Sequence, residues 1–460
     1  MEGRGAAYRS AMVDNPGLSV ESSDPSVNTS ISSVPYAPEP ELFEPALAPF
    51  ESRIAFLMAL ARHLHQYGTS ASRLELVITT AGQRLGLEAE VWSSPTAIIT
   101  SFTEASGGAE TMAQTQVIRL VPGDVDLRRL CEADRIADLV VAGHMALREG
   151  MHQLQLLATP DRMVAKLAII GSYGLAAASI VTLLMHAGLA DLITSGLIGL
   201  VTGTVMVLAG SRPRLFAASE ALCALMASLV ATLISVYVTP LSLRSVVLAS
   251  LIILMPGMAL TTAVREISSQ HLVAGVARFG GAVASLLKLT FGTVGGFQLC
   301  AMLGIVPQEH AIVPLPAWTS LPALLLGSFS FAISFRAARR DWLVVMGAVA
   351  LGYFAARWGG ELTMGDASAP LGLFLAGLLL GALANVFTKY VDRPGILIRE
   401  PGIILLVPGS SGYRSVSHML TPTGELGVAS GVVLLGMMVS LVAGLMFGDL
   451  LVTPRHNRNL

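Results

Sequence analysis

Residues 246–267 read VVLASLIILMPGMALTTAVREI, and residues 395–416 read GILIREPGIILLVPGSSGYRSV. Each is an Ile/Leu run interrupted by Pro-Gly, at Pro256-Gly257 and Pro408-Gly409, and each break is followed by small hydroxyl residues. Proline removes a backbone donor and clashes with the carbonyl one turn back, while glycine lets the chain leave helical geometry. In an apolar solvent the freed backbone groups are tolerable only inside protein or beside a wet cavity. A half-helix beginning after such a break offers amides and partial positive charge to an anion. One ending before it offers carbonyls to a cation. Two opposed breaks therefore suit a small zwitterion, whereas either break alone reads first as a packing kink.

The chain around them is built for a membrane. Of 460 residues, 53% are hydrophobic and 13% charged, with a mean hydropathy of +0.66, against about 25% charged in a soluble protein. Residues 1–165 carry a net charge of −8 and residues 166–460 a net charge of +6. Ten apolar segments follow Lys166, at 166–187, 190–210, 215–238, 245–264, 280–304, 317–335, 342–358, 369–388, 395–413 and 426–451. Each is near the roughly 20 residues a helix needs to cross a bilayer. With ten spans, twelve Lys/Arg fall in loops on one side and three on the other. This positive-inside bias puts both termini in the cytoplasm.

The expected fold class is an α-helical polytopic membrane protein of about ten transmembrane helices in a 5+5 inverted repeat, with a small soluble α+β N-terminal domain. Five helices per half is an odd number, so equivalent helices run in opposite directions. The two Pro-Gly segments are then helix four of each half, the positions that point to a transporter's binding site. The expected division is a disordered tail at 1–50, a cytoplasmic domain at 51–165, membrane repeats at 166–304 and 305–452, and a cytoplasmic tail at 453–460. The first tail is rich in Ser, Pro and acid and lacks the pattern of a signal peptide. In the cytoplasmic domain, helices are expected near 54–64 and 70–85, strands within 88–102 and 116–121, and one helix over 124–148.

Ionisable groups within apolar segments are functional candidates by default. Glu220 and Lys288 are such groups, candidates for proton coupling; the alternative pairs Glu220 with Arg214 and lets Lys288 snorkel. Arg265, Glu266 and Arg278 form a candidate gate or ion-pair cluster, and Glu266 is the alternative to Glu220 as proton carrier. Pro256, Gly257, Pro408 and Gly409 set the broken-helix geometry, and Thr261, Thr262, Ser410 and Ser411 are the expected hydroxyl contacts to substrate.

GxxxG spacings at Gly199/Gly203, Gly377/Gly381, Gly427/Gly431 and Gly444/Gly448 are read as packing contacts. Cys131, Cys223 and Cys300 form no CxxC pair and read as buried thiols. The sequence has no phosphate loop, HExxH, CxxC or GxSxG motif, so no enzyme activity, metal site or cofactor is expected. His144 and His152 share a face only if the helix over 124–148 extends that far. No basic tract suggests nucleic acid, and a homo-oligomer is left open.

The segment 256–282, PGMALTTAVREISSQHLVAGVARFGGA, resembles the threonine/serine exporter family of bacterial secondary transporters. So do SRLELVITTAGQRLGLEAEVWSSPTAIITSF at 72–102, DLVVAGHMALREGM at 138–151 and RPGILIREPGIILLVPGSSGYRS at 393–415. The chain departs from the family pattern at Arg265-Glu266, where that pattern has Arg-Asp. The resemblance implies a multi-pass protein of the bacterial cytoplasmic membrane that exports threonine and serine, driven by the proton motive force. Relatives in the family imply a dicarboxylate of the succinate type as the alternative substrate. A reading of another class makes residues 51–165 a membrane-anchored hydrolase or a regulatory domain.

Overall fold

The computed structural model describes residues 44–105, 112–185, 187–307, 314–362, 370–391, 393–407, 409–419 and 424–452. Helix α1 (Phe50–Gln66) buries Ile54, Leu57, Leu60, Ala61 and Leu64 at helical spacing, as the sequence predicts. Gly68, at φ 82°, turns the chain into α2 (Ala71–Arg84), which buries Leu74, Val77, Ile78 and Ala81. The strands β1 (Leu87–Ser94), β2 (Ala97–Glu104) and β3 (Gln114–Arg119) form an antiparallel sheet in that order. The β1–β2 turn is Pro95-Thr96, with Ser94 paired to Ala97. Ile98 and Phe102 on β2 close onto the helices in one apolar core.

The single helix expected over 124–148 is two helices, α3 (Leu127–Val141) and α4 (Leu147–Leu157). The Asp126 carboxylate starts α3 by accepting the Arg129 amide at 2.9 Å. Gly143, at φ 75°, ends the first helix and lets the second fold back against α1. His144 falls in the break, so His144 and His152 share no helix. Arg53 and His65 on α1 are buried as well. Arg53 donates to the Leu85 carbonyl at 2.9 Å and pairs with Glu104.

Long apolar helices follow: α5 (Met163–Met185), α6 (Leu189–Ala209) and α7 (Pro213–Tyr237). The fourth apolar segment is α8 (Leu243–Ser250), a short 3-10 turn (Ile252–Leu254) and α9 (Gly257–Ser268), bent by 55°. Then come α10 (Leu272–Met302), α11 (Ser320–Ser334), α12 (Trp342–Leu362) and α13 (Pro370–Val391). The chain ends with α14 (Ile396–Ile403), α15 (Gly409–Met419) and α16 (Gly424–Leu451).

Among the described residues, eight helices are long and apolar enough to cross a bilayer, and the bent α8–α9 pair makes up to nine. The segment expected at 395–413 is two short helices, α14 and α15, of 8 and 11 residues. Neither alone spans a hydrocarbon core of about 30 Å, because Pro401, Gly402 and Gly409 interrupt the apolar run. Between 28% and 50% of each span's apolar window is buried, so half or more of each faces outward, as lipid contact requires. Contacts divide the chain between residues 41 and 42, and all the described residues belong to the second unit.

The packing of the two halves is mirrored. Helix α7 packs on α10 as α13 packs on α16, and α9 packs on α10 as α15 packs on α16. Across the halves, α9 reaches α16 and α15 reaches α10. Glycines set the α13–α16 crossing: a Cβ on Gly377 would lie 2.5 Å from the Leu441 carbonyl, and one on Gly444 2.1 Å from the Phe374 carbonyl. Gly199, against the Tyr173 carbonyl, does the same for α5 and α6.

Candidate substrate site

The two breaks, 152 residues apart in sequence, meet in space. A Cβ on Gly257 would lie 3.2 Å from the Gly409 nitrogen and 3.3 Å from its Cα; one on Gly409 would lie 3.3 Å from the Gly257 nitrogen and Cα. Their local geometry matches as well. The Gly257 N–H donates to the Met255 carbonyl at 2.8 Å, and the Gly409 N–H to the Val407 carbonyl at 2.8 Å. Pro256 stands at the cap of α9. Pro408 lies outside the described residues.

Both α9 and α15 begin at the touching glycines, so two helix N-termini confront each other. The first amides of a helix have no partner one turn back, and each N-terminus carries roughly half a positive charge. Brought together they disfavour one another and favour an anion between them. Thr261, one turn into α9, is buried, and its Oγ1 has no hydrogen-bond partner among the described residues. Thr262, Ser410 and Ser411 are half-buried, and the Ser411 carbonyl accepts the Ser415 hydroxyl at 2.9 Å. Gly412 faces Leu260 and Leu286, so α9, α10 and α15 wall one side of the crossing.

The charged candidates separate into distinct groups. Lys288 Nζ lies 2.5 Å from Glu220 Oε2, and the Ser285 hydroxyl donates to Glu220 Oε1 at 2.8 Å. Glu220 is thus held by α10, not by Arg214. Glu266 is fully buried and takes Arg278 Nε at 3.0 Å and Nη2 at 3.2 Å. Its Oε1 also accepts the Ala71 amide of α2 at 3.0 Å. Arg265 turns instead toward Glu400 on α14, at 3.9 Å. The expected cluster of Arg265, Glu266 and Arg278 is therefore a Glu266–Arg278 pair with Arg265 beside it, joined to the second half.

Sequence reasoning passed over Arg399, Glu400 and Asp449. Arg399 pairs with Asp449, which also accepts Asn385 Nδ2 at 3.0 Å. A signal for them exists: Arg-Glu occurs in both broken segments, as Arg265-Glu266 after the first Pro-Gly and Arg399-Glu400 before the second. In an inverted repeat, that reversal brings the two dipeptides to the same face. Among the described residues, no group of three His, Cys, Asp or Glu could hold a metal. An apolar cavity of about 150 Å³ between α6 and α7, lined by residues such as Val201 and Met226, lacks the polar groups the breaks supply.

Residues 55–300 match the family described as "Putative threonine/serine exporter", and residues 322–451 match "Threonine/Serine exporter, ThrE". The chain belongs to the threonine/serine exporter family. It is a multi-pass membrane protein of that family, and both broken segments fall inside the matched regions. Among curated relatives, this exporter-family chain is 22% identical to a "Pheromone-regulated membrane protein 10" of Debaryomyces hansenii, over 80% of this chain and 36% of the relative. It is 20% identical to the protein of that name in Eremothecium gossypii, over 89% and 57%. An uncharacterized protein of Schizosaccharomyces pombe is 22% identical, over 82% and 46%. The chain spans about half the length of these relatives, all of them fungal. No solved structure matches it.

Proposed function

We propose that this protein is a secondary active exporter of threonine and serine, working by alternating access around the two apposed breaks. The observation that carries this reading is the contact between Gly257 and Gly409, with α9 and α15 starting head to head. Paired N-terminal amides suit the substrate carboxylate. The carbonyl ends of α8 and α14 leave acceptors for the ammonium, and the buried Thr261 hydroxyl suits the substrate side chain. In this reading α14 and α15 together form the ninth crossing and bring the total to ten, and the mirrored packing is the 5+5 inverted repeat. The loop charges favour both termini in the cytoplasm.

Proton coupling falls to Glu220, paired with Lys288 and Ser285 between α7 and α10. Glu266 is the poorer carrier, because a fully buried carboxylate with a guanidinium and an amide has its lone pairs committed. Counterflow of labelled threonine in proteoliposomes tests the substrate: unlabelled threonine and serine compete and succinate does not. Competition by succinate alone contradicts the amino-acid reading and supports the dicarboxylate one. Glu220→Gln is expected to keep counterflow while losing transport driven by a proton gradient. Retained proton-driven transport in that variant excludes Glu220 as the carrier.

A further inference from the structure

The buried Glu266 carboxylate ties the soluble N-terminal elements to the broken helix. Ala71, whose amide it accepts, is the first residue of α2, so the carboxylate also sits at the positive end of that helix. One turn along α2, Glu75 Oε2 lies 3.1 Å from His271 Nε2, and its other oxygen accepts the Ser93 amide at 2.8 Å. His271 stands in the turn between α9 and α10, where Gln270 adopts φ 66°. The same unit holds the second half of the membrane region. The Leu127 amide of α3 donates to the Phe335 carbonyl at 3.0 Å. Arg336, just after α11, lies 3.5 Å from Asp126 and 3.4 Å from Asp161.

We propose that the N-terminal unit is the gate on one face of the transporter, with Glu266 as its bolt. The proposal rests on the alternating-access reading above. Glu266 is nine residues beyond Gly257 on α9, about 14 Å along the helix at ~1.5 Å per residue. The break therefore lies about half a bilayer below the docked unit. Opening that face by rocking one half against the other must separate contacts that the unit makes to both. Glu266 suits a reversible bolt for a definite reason. When α2 withdraws, the carboxylate keeps Arg278, so no buried charge is left without a partner. Arg265, the neighbouring residue, carries the motion to Glu400 on α14. Glu266 is thus a positioning residue for α9, acting on the substrate site through the helix that begins there.

The test uses the full chain in proteoliposomes with a Ser411→Cys reporter and a membrane-impermeant maleimide added on the side of the N-terminal unit. The native cysteines are buried and serve as the unlabelled background. With the bolt intact, labelling is slow; Glu266→Ala speeds it by on the order of 10-fold, about 1.4 kcal/mol of closure lost. Glu75→Gln combined with Arg336→Ala, which leaves Glu266 and Arg278 untouched, speeds it in the same direction. Amide exchange at residues 71–75 rises in both variants. Unchanged labelling in both variants, with or without raised exchange, overturns the gate. Faster labelling keeps the gate even where the parent protein, without the reporter cysteine, moves no threonine, a failure that removes only the substrate reading.

Discussion

Cys131 packs against the membrane helices under α3, and burial pushes its thiol up to about 12. A thiol there carries almost no thiolate at neutral pH and is inert to alkylation. Maleimide at pH 7.5 is expected to leave Cys131, Cys223 and Cys300 unmodified in the folded protein and to modify all three after unfolding in detergent; labelling of the folded protein contradicts their burial. His63 and His65 are also shifted in the N-terminal unit. Burial lowers both, with Arg62 adding to the effect at His63. At His65 the Ser94 carbonyl opposes the shift, and Arg278 adds to it. The folded state then binds protons less readily than the unfolded chain. Stability is full above the ordinary histidine value of 6.5 and declines as pH falls through it toward the lower folded values. Amide exchange in residues 50–104 is expected to be faster at pH 5.5 than at 7.5 after correction for intrinsic rates. His63→Gln with His65→Gln should shrink that difference.

The elements were unevenly legible in the sequence. Helical spacing over 54–64 and the apolar runs of α5, α6, α7, α10, α11, α12, α13 and α16 carry local signals, and the structure follows them. The break at Gly143 was missed because Ala142, His144 and Met145 look helical, and only a glycine's left-handed turn ends α3. The contact between Gly257 and Gly409 is of another kind, since nothing local records that two matching breaks touch. Docking of α2 on Glu266 was equally silent, because its partner is a backbone amide. The contact makes a strong demand on side-chain size. A Cβ on Gly257 would sit 2.4 Å from Val407 Cγ1, which can rotate away, but also against the Gly409 backbone, which cannot. Such overpacking costs about 1–3 kcal/mol. Gly257→Ala is expected to insert normally and to lower threonine transport by about 10-fold or more. Gly280→Ala, where a Cβ meets nothing within 4 Å, should transport as the parent does. Equal activity in all three proteins contradicts the close apposition.

At the scale of the whole molecule, one polar unit is joined to both halves of an apolar one, and the halves cross at their weakest helices. The outward apolar faces belong to lipid, while Arg265 meets Glu400 between the halves and Glu266 lies beneath the N-terminal unit. This division follows from the low charge content, because buried polar groups must find partners inside the protein. Glu266 with Arg278, Arg399 with Asp449, and Asp341 with Arg393 are such partners. The measurement that tests the account most directly loads cells lacking their own exporters with a threonine-containing dipeptide and follows threonine efflux. It compares the parent protein, Gly409→Leu and empty cells, with and without a protonophore. The account predicts efflux that needs the parent protein, collapses with the proton gradient and is absent in a correctly inserted Gly409→Leu variant. Undiminished efflux from Gly409→Leu contradicts a substrate site at the apposed breaks.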